Sequence, residues 1–106
     1  MTILKIDVDV MMSNELFDKY IRTRIAIIEE LGYIFKGIRW SRTSKGYHFW
    51  IEIEEDLSDN EVCELQFLLG DDPVRCRFNY LRLEAGYFRQ FNVLFNKKFK
   101  KGDEEK

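Results

Sequence analysis

The chain has 106 residues, 45% of them hydrophobic and 34% charged, with a formal net charge of −2. That is enough apolar material for one small domain and too ordered a pattern for a disordered chain, and the overall charge excludes a general polycation that coats nucleic acid. No apolar run approaches the roughly 20 residues of a bilayer-spanning helix, and "MTILKIDVDV" carries two aspartates where a signal peptide would be basic, so a soluble, cytoplasmic protein with no membrane partner is expected.

The first element is "ILKIDVDV". Leu4, Ile6, Val8 and Val10 alternate with Lys5, Asp7 and Asp9, which predicts a strand with one buried face. "SNELFDKYIRTRIAIIEELG" then reads as a helix. Ser13 is its N-cap, Met12 and Phe17 can form a hydrophobic staple, and Gly32 supplies the stop. Leu16, Phe17, Tyr20, Ile21, Ile27, Ile28 and Leu31 make its apolar stripe.

"YIFKGIRWSR" predicts a second strand, "TSKG" a turn and "YHFWIEIEE" a third strand. Within the third, Phe49, Ile51 and Ile53 share one face, and His48, Trp50 and Glu52 the other. "LSDNEVCELQFLLG" predicts a second helix in which Ser58 and Glu61 have capping-box spacing. After the turn "GDDP", the alternation in "VRCRFNYLRL" predicts a fourth strand, with Val74, Cys76, Phe78 and Tyr80 opposite Arg75, Arg77 and Asn79. "YFRQFNVLFNKKF" fits a short helix or a docked strand, and residues 100–106 read as a charged tail. Cys63 and Cys76 are too far apart for a CxxC pair and read as core thiols, with a disulfide as the alternative.

The order β-α-β-β-α-β is the ferredoxin-like, RNA-recognition-motif-like pattern. It predicts an α+β domain over residues 1–99, a four-stranded antiparallel sheet with both helices on one face. Strands one and three are then central neighbours. Ile6, Val8, Phe49, Ile51, Val74, Cys76 and Phe78 fall under the helices. Asp7, Asp9, His48, Trp50, Glu52, Arg75, Arg77 and Asn79 fall on the open face. Charge is also banded along the chain: residues 51–72 hold nine acidic and no basic residues, and residues 73–101 hold eight basic residues against Glu84 alone. Two aspartates at i and i+2 repel each other unless a cation lies between them, and hard oxygen donors suit Mg²⁺ or Mn²⁺.

These residues carry a resemblance to the archaeo-eukaryotic primase superfamily. "LKIDVDV" resembles its first motif, a hydrophobic strand ending in Asp-x-Asp. "SKGYHFWIEI" resembles the second, a small residue and a histidine leading into a strand, and "LGDDPVRCRFNYLR" resembles the third-motif region. The resemblance covers most of the chain. It implies a minimal or degenerate primase-polymerase core, with Asp7, Asp9 and His48 as the catalytic set. Asp7 and Asp9 would bind Mg²⁺ or Mn²⁺, with Asn79 at the place of the third ligand, where the family has a carboxylate. His48 would contact nucleotide phosphates, with Lys45 and Gly46 in the adjoining turn. It further implies metal-dependent nucleotidyl transfer in DNA replication. Trp50, Arg75 and Arg77 complete the expected nucleotide or nucleic-acid surface. "KGYHFWIEI" also resembles the strand-three signature of RNA-recognition motifs, whose aromatics stack bases. The alternatives are therefore a non-catalytic module for single-stranded nucleic acid, or a small structural or regulatory protein. A homodimer or a place in a larger replication complex is expected.

Overall fold

The computed structural model describes residues 1–86, 88 and 92. The elements run β1 (Thr2–Val8), α1 (Asn14–Glu30), β2 (Phe35–Arg42), β3 (Tyr47–Ile53), α2 (Asp59–Leu68) and α3 (Pro73–Ala85). The three strands form one antiparallel sheet in the order β1-β3-β2. The α+β class and the first five elements agree with the sequence reading. Among the described residues no helix is long and apolar enough to cross a membrane.

The local signals act as chemistry predicts. The Ser13 hydroxyl accepts from the Leu16 N–H at the start of α1, and Ser58 with Glu61 forms a complete capping box on α2. One sheet face, made of Leu4, Ile6, Phe49, Ile51 and Ile53, is fully or almost fully buried. Phe17 and Tyr20 of α1 lay their rings on Tyr47 and Phe49, with centroids 5.1 Å apart in each pair. Val62, Cys63, Leu65 and Leu69, from α2 and its C-terminal end, close the same core. Such aromatic pairs add stabilisation beyond the area they bury. Cys63 and Cys76 are buried free thiols.

The fourth expected strand is instead α3. Asp72 caps it, its carboxylate accepting from the Arg75 N–H at 3.0 Å; Pro73 opens it; Gly86, at φ 84°, ends it. Proline at the first turn and a left-handed glycine after the last favour a helix. They override a short polar alternation that fits a strand equally well. Val74 and Phe78, expected under the helices of a four-stranded sheet, are 61% and 50% exposed on α3. Arg75, Arg77 and Asn79 therefore lie on a helix and not on the sheet's second face. Residues 93–106, which include the expected tail, lie outside the described residues.

Among the described residues β1, expected at the centre of the sheet, lies at its edge, with β3 central. The β1 edge is nonetheless bonded. The Lys5 N–H donates to Gln66 Oε1 (2.9 Å) and the Asp7 N–H to Asp71 Oδ1 (2.7 Å). The Asp72 N–H donates to the Asp7 carbonyl (2.8 Å), and Arg75 donates to the Lys5 carbonyl (3.1 Å). Side chains and a loop thus satisfy backbone groups that a fourth strand would otherwise take.

Candidate functional site

Register places the candidate residues in rows across the second face. Asp7 on β1 pairs with His48 on β3, which pairs with Ser41 on β2. The next row is Lys5, Trp50 and Arg39. Directly opposed residues in an antiparallel sheet have side chains within contact of each other.

In the first row, His48 Nε2 lies 3.4 Å from Asp7 Oδ1. His48 is only 5% exposed, much less than an open face would leave it. Among the described residues its Nδ1 has no hydrogen-bond partner, and neither does the buried Ser41 hydroxyl. Two unsatisfied polar atoms on paired residues are costly unless a further group meets them. Ser41 was not legible as a site residue from motifs, although counting back across the four-residue turn Thr43–Gly46 would have matched it to His48.

Asp9 lies just past the end of β1. Partial loss of solvent at this otherwise exposed position raises its carboxyl above the ordinary carboxylate range, and the like charges of Asp7 and Asp72 raise it further. Lys45 and His48 act in the opposite direction. Asp72, from the α2–α3 connection, thereby joins the cluster from outside the sheet. Because the folded state favours the neutral acid, this contribution to stability is present below the ordinary Asp value and is lost as pH rises through the raised one. Asp9→Asn is thus expected to raise the melting temperature slightly at pH 7, with the gain vanishing in strong acid. Thermal unfolding of both proteins from pH 3 to pH 7 measures this, and a melting temperature lowered by the substitution at pH 7 would contradict it.

Gly46 acts through close packing. A Cβ there would sit 1.8 Å from the Val8 carbonyl oxygen and 2.8 Å from the Val10 nitrogen. The turn therefore presses against the backbone on either side of Asp9, and the Gly46 N–H is held by the Thr43 hydroxyl at 2.9 Å. Lys45 stands exposed in the same turn.

The residues expected on the fourth strand are dispersed. Arg75 is tied into the β1 edge through Asp71 (2.5 Å), the Lys5 carbonyl and Asn92 (2.9 Å). Arg77 lines a groove between α2 and α3 with Phe67 and Tyr80. Asn79 is 1% exposed in α3, and among the described residues neither end of its amide has a partner. Trp50 is half-buried, edge-on to His48 and under the Arg39 guanidinium, which lies 5.3 Å from its ring centre.

Carboxylates of Asp7 and Asp9, with Asp72 in electrostatic reach, are donors of the kind that hold Mg²⁺ or Mn²⁺. Among the described residues, however, no group of three or more His, Cys, Asp or Glu side chains is placed to hold a metal ion. One Asp7 oxygen faces His48, and one Asp72 oxygen caps α3. The described residues therefore do not supply a complete protein cage for a metal ion.

No family model matches the chain, and no solved structure matches it. A curated relative, "Uncharacterized protein 30" of Sulfolobus islandicus filamentous virus (isolate Iceland/Hveragerdi), is 35% identical over 100 residues. The match covers 91% of this chain and 38% of the relative, so the chain spans well under half the length of the protein it resembles.

Proposed function

We propose that the chain is a nucleotide- and nucleic-acid-binding core of the primase-polymerase type, acting in DNA replication as part of a larger assembly. The observation that carries this reading is the row Asp7–His48–Ser41 beside Asp9. It sets two carboxylates, an imidazole and a hydroxyl at one end of a small sheet, where His48 and Ser41 each carry a buried polar atom with no partner among the described residues. Asp7 and Asp9 would hold one Mg²⁺ or Mn²⁺. His48, Ser41 and Lys45 supply donors for phosphate oxygens. The cation, when bound, offsets the charge of the carboxylates and of the nucleotide phosphates together. Asp7 orients the imidazole, and Gly46 holds the turn against the end of β1.

A second reading, binding without nucleotidyl transfer, is favoured by the ligand count. Two-metal transfer needs more carboxylates than Asp7 and Asp9 provide. Asn79 lies within α3, and Asp72 already caps that helix. The isolated chain is accordingly expected to bind and not to extend primers.

The test is thermal unfolding with Mn²⁺, alone and with a nucleoside triphosphate. Wild type is expected to gain about 2.7 kcal/mol at a hundredfold excess over Kd. The double variant Asp7→Asn, Asp9→Asn is expected to lose that gain. Equal shifts in both proteins would refute the site. Robust primer extension by wild type, abolished by Asp9→Asn, would refute the second reading.

A further inference from the structure

We propose that single-stranded nucleic acid runs along the free edge of β2, stacking a base on Trp40 and laying its phosphates against Arg39, Arg42 and Lys45. This rests on the nucleic-acid reading above and adds where the strand lies. None of Arg39, Trp40 and Arg42 belongs to the primase-like motifs.

The edge is available. β2 bonds to β3 on one side, and among the described residues no strand pairs with the other. From Tyr33 to Ile51 the chain has Lys36, Arg39, Arg42 and Lys45 and no acidic residue. Three-residue spacing along a strand puts neighbouring cations roughly 10 Å apart and alternates them between faces, so the charge rims the edge. Lys36 pairs with Glu54 at 3.4 Å. The other three stand in no ion pair among the described residues. Arg39 instead rests on Trp50 and Arg42 on Tyr47, with guanidinium-to-ring distances of 5.3 and 5.9 Å. Cations held on aromatic faces are positioned without being neutralised.

Trp40 is 49% exposed between the two arginines. Its ring is fixed edge-on by Phe17, with centroids 4.8 Å apart. Basic residues on an edge strand are a common guard against strand-to-strand association, and that explains the arginines alone. It does not explain a large exposed aromatic, which invites association. Aromatics interleaved with cations are the usual platform for single strands. A second copy pairing through β2 would bring the arginines of both chains together, and like charges opposed across strands are destabilising. The track also ends in the right place, because the turn after β2, which carries Lys45, packs at Gly46 against the backbone on either side of Asp9. A strand end delivered along β2 would reach the Asp7–His48 row.

The test uses fluorescently labelled dT20 and U20 with the full chain, read by anisotropy across a salt series, with intrinsic tryptophan quenching in parallel. Arg39→Ala with Arg42→Ala is expected to weaken dT20 binding at least tenfold at low salt. It should also flatten the log–log salt slope by roughly 1.4, the value for two phosphate contacts to a single strand. Quenching by dT20 is expected to persist in Trp50→Phe and to vanish in Trp40→Phe, a substitution chosen to keep the packing on Phe17. Mn²⁺ stabilisation should survive in Trp40→Phe and in the double arginine variant. Comparable affinity for U20 would mean that the edge takes either nucleic acid and would support the track. Unchanged affinity and salt slope in the arginine variant, with binding lost in His48→Ala, would overturn the track and leave the proposed function standing. No binding of either oligonucleotide by wild type at low salt would overturn it, as would a wild-type dimer dispersed by Trp40→Phe in the absence of oligonucleotide binding.

Discussion

Arg75→Met is expected to destabilise the fold by roughly 3–5 kcal/mol, the range for removing one partner of a buried ion pair. The Asp71 side chain is completely buried, and the guanidinium of Arg75 lies 2.5 Å from it. That carboxylate also accepts from the Asp7 and Asp72 N–H groups at 2.7 and 3.0 Å. Burial already lifts the Asp71 carboxyl above its ordinary range, and Arg75 is the main force opposing that rise. Without the arginine the acid rises further, so its folded pKa lies still further above its unfolded one. Stability from such a group is present below the ordinary Asp value and is lost as pH rises through the folded pKa. The deficit of Arg75→Met against wild type should therefore be largest at neutral pH and shrink in acid. Urea denaturation at pH 7 and pH 4 measures it. A deficit below about 1 kcal/mol at pH 7, in the range of exposed ion pairs, would show that the β1 edge does not depend on this pair.

Gly46→Ala is expected to cost at least the roughly 1–3 kcal/mol of an overpacked core position, and to damage the candidate site more than a loss of stability alone would. The new methyl would meet the Val8 carbonyl oxygen at 1.8 Å and the Val10 nitrogen at 2.8 Å. Both are backbone, so no side chain can rotate away to relieve the contact. Either the turn or the end of β1 must move, and Asp9 lies between those two contacts. Mn²⁺ stabilisation should weaken in Gly46→Ala at temperatures where circular dichroism shows it fully folded. A folded variant with wild-type Mn²⁺ response would mean that the turn's packing does not set the position of Asp9.

The α2–α3 connection gives this small sheet an unusual edge. Gln66, Asp71, Asp72 and Arg75 bond to the backbone of Lys5 and Asp7. The negative charge of Asp72 in the same connection also acts on Asp9. Stability and site geometry are consequently coupled through one short stretch, so Arg75, expected as a phosphate contact, supports the strand that carries Asp7.

Elements whose signals are local and redundant follow from the order of residues alone. The caps at Ser13 and Ser58 fixed where α1 and α2 begin, because a side-chain acceptor three residues ahead is a property of the chain alone. Strict alternation in β1 and β3 fixed which face each side chain takes, so Asp7, His48 and Trp50 were correctly assigned to a common face. Residues 74–83, expected as a strand from their alternating polar and apolar side chains, are helical. The Asp72–Pro73 start and the Gly86 stop, both properties of the sequence, outweigh that alternation. The remaining features arise from long-range packing. Burial of His48, the unsatisfied pairing of Nδ1 with the Ser41 row, and the approach of Asp72 depend on residues far apart in the chain. So does the enclosure of Asp71 against β1, since a carboxylate's surroundings are set by what packs on it and not by its sequence neighbours.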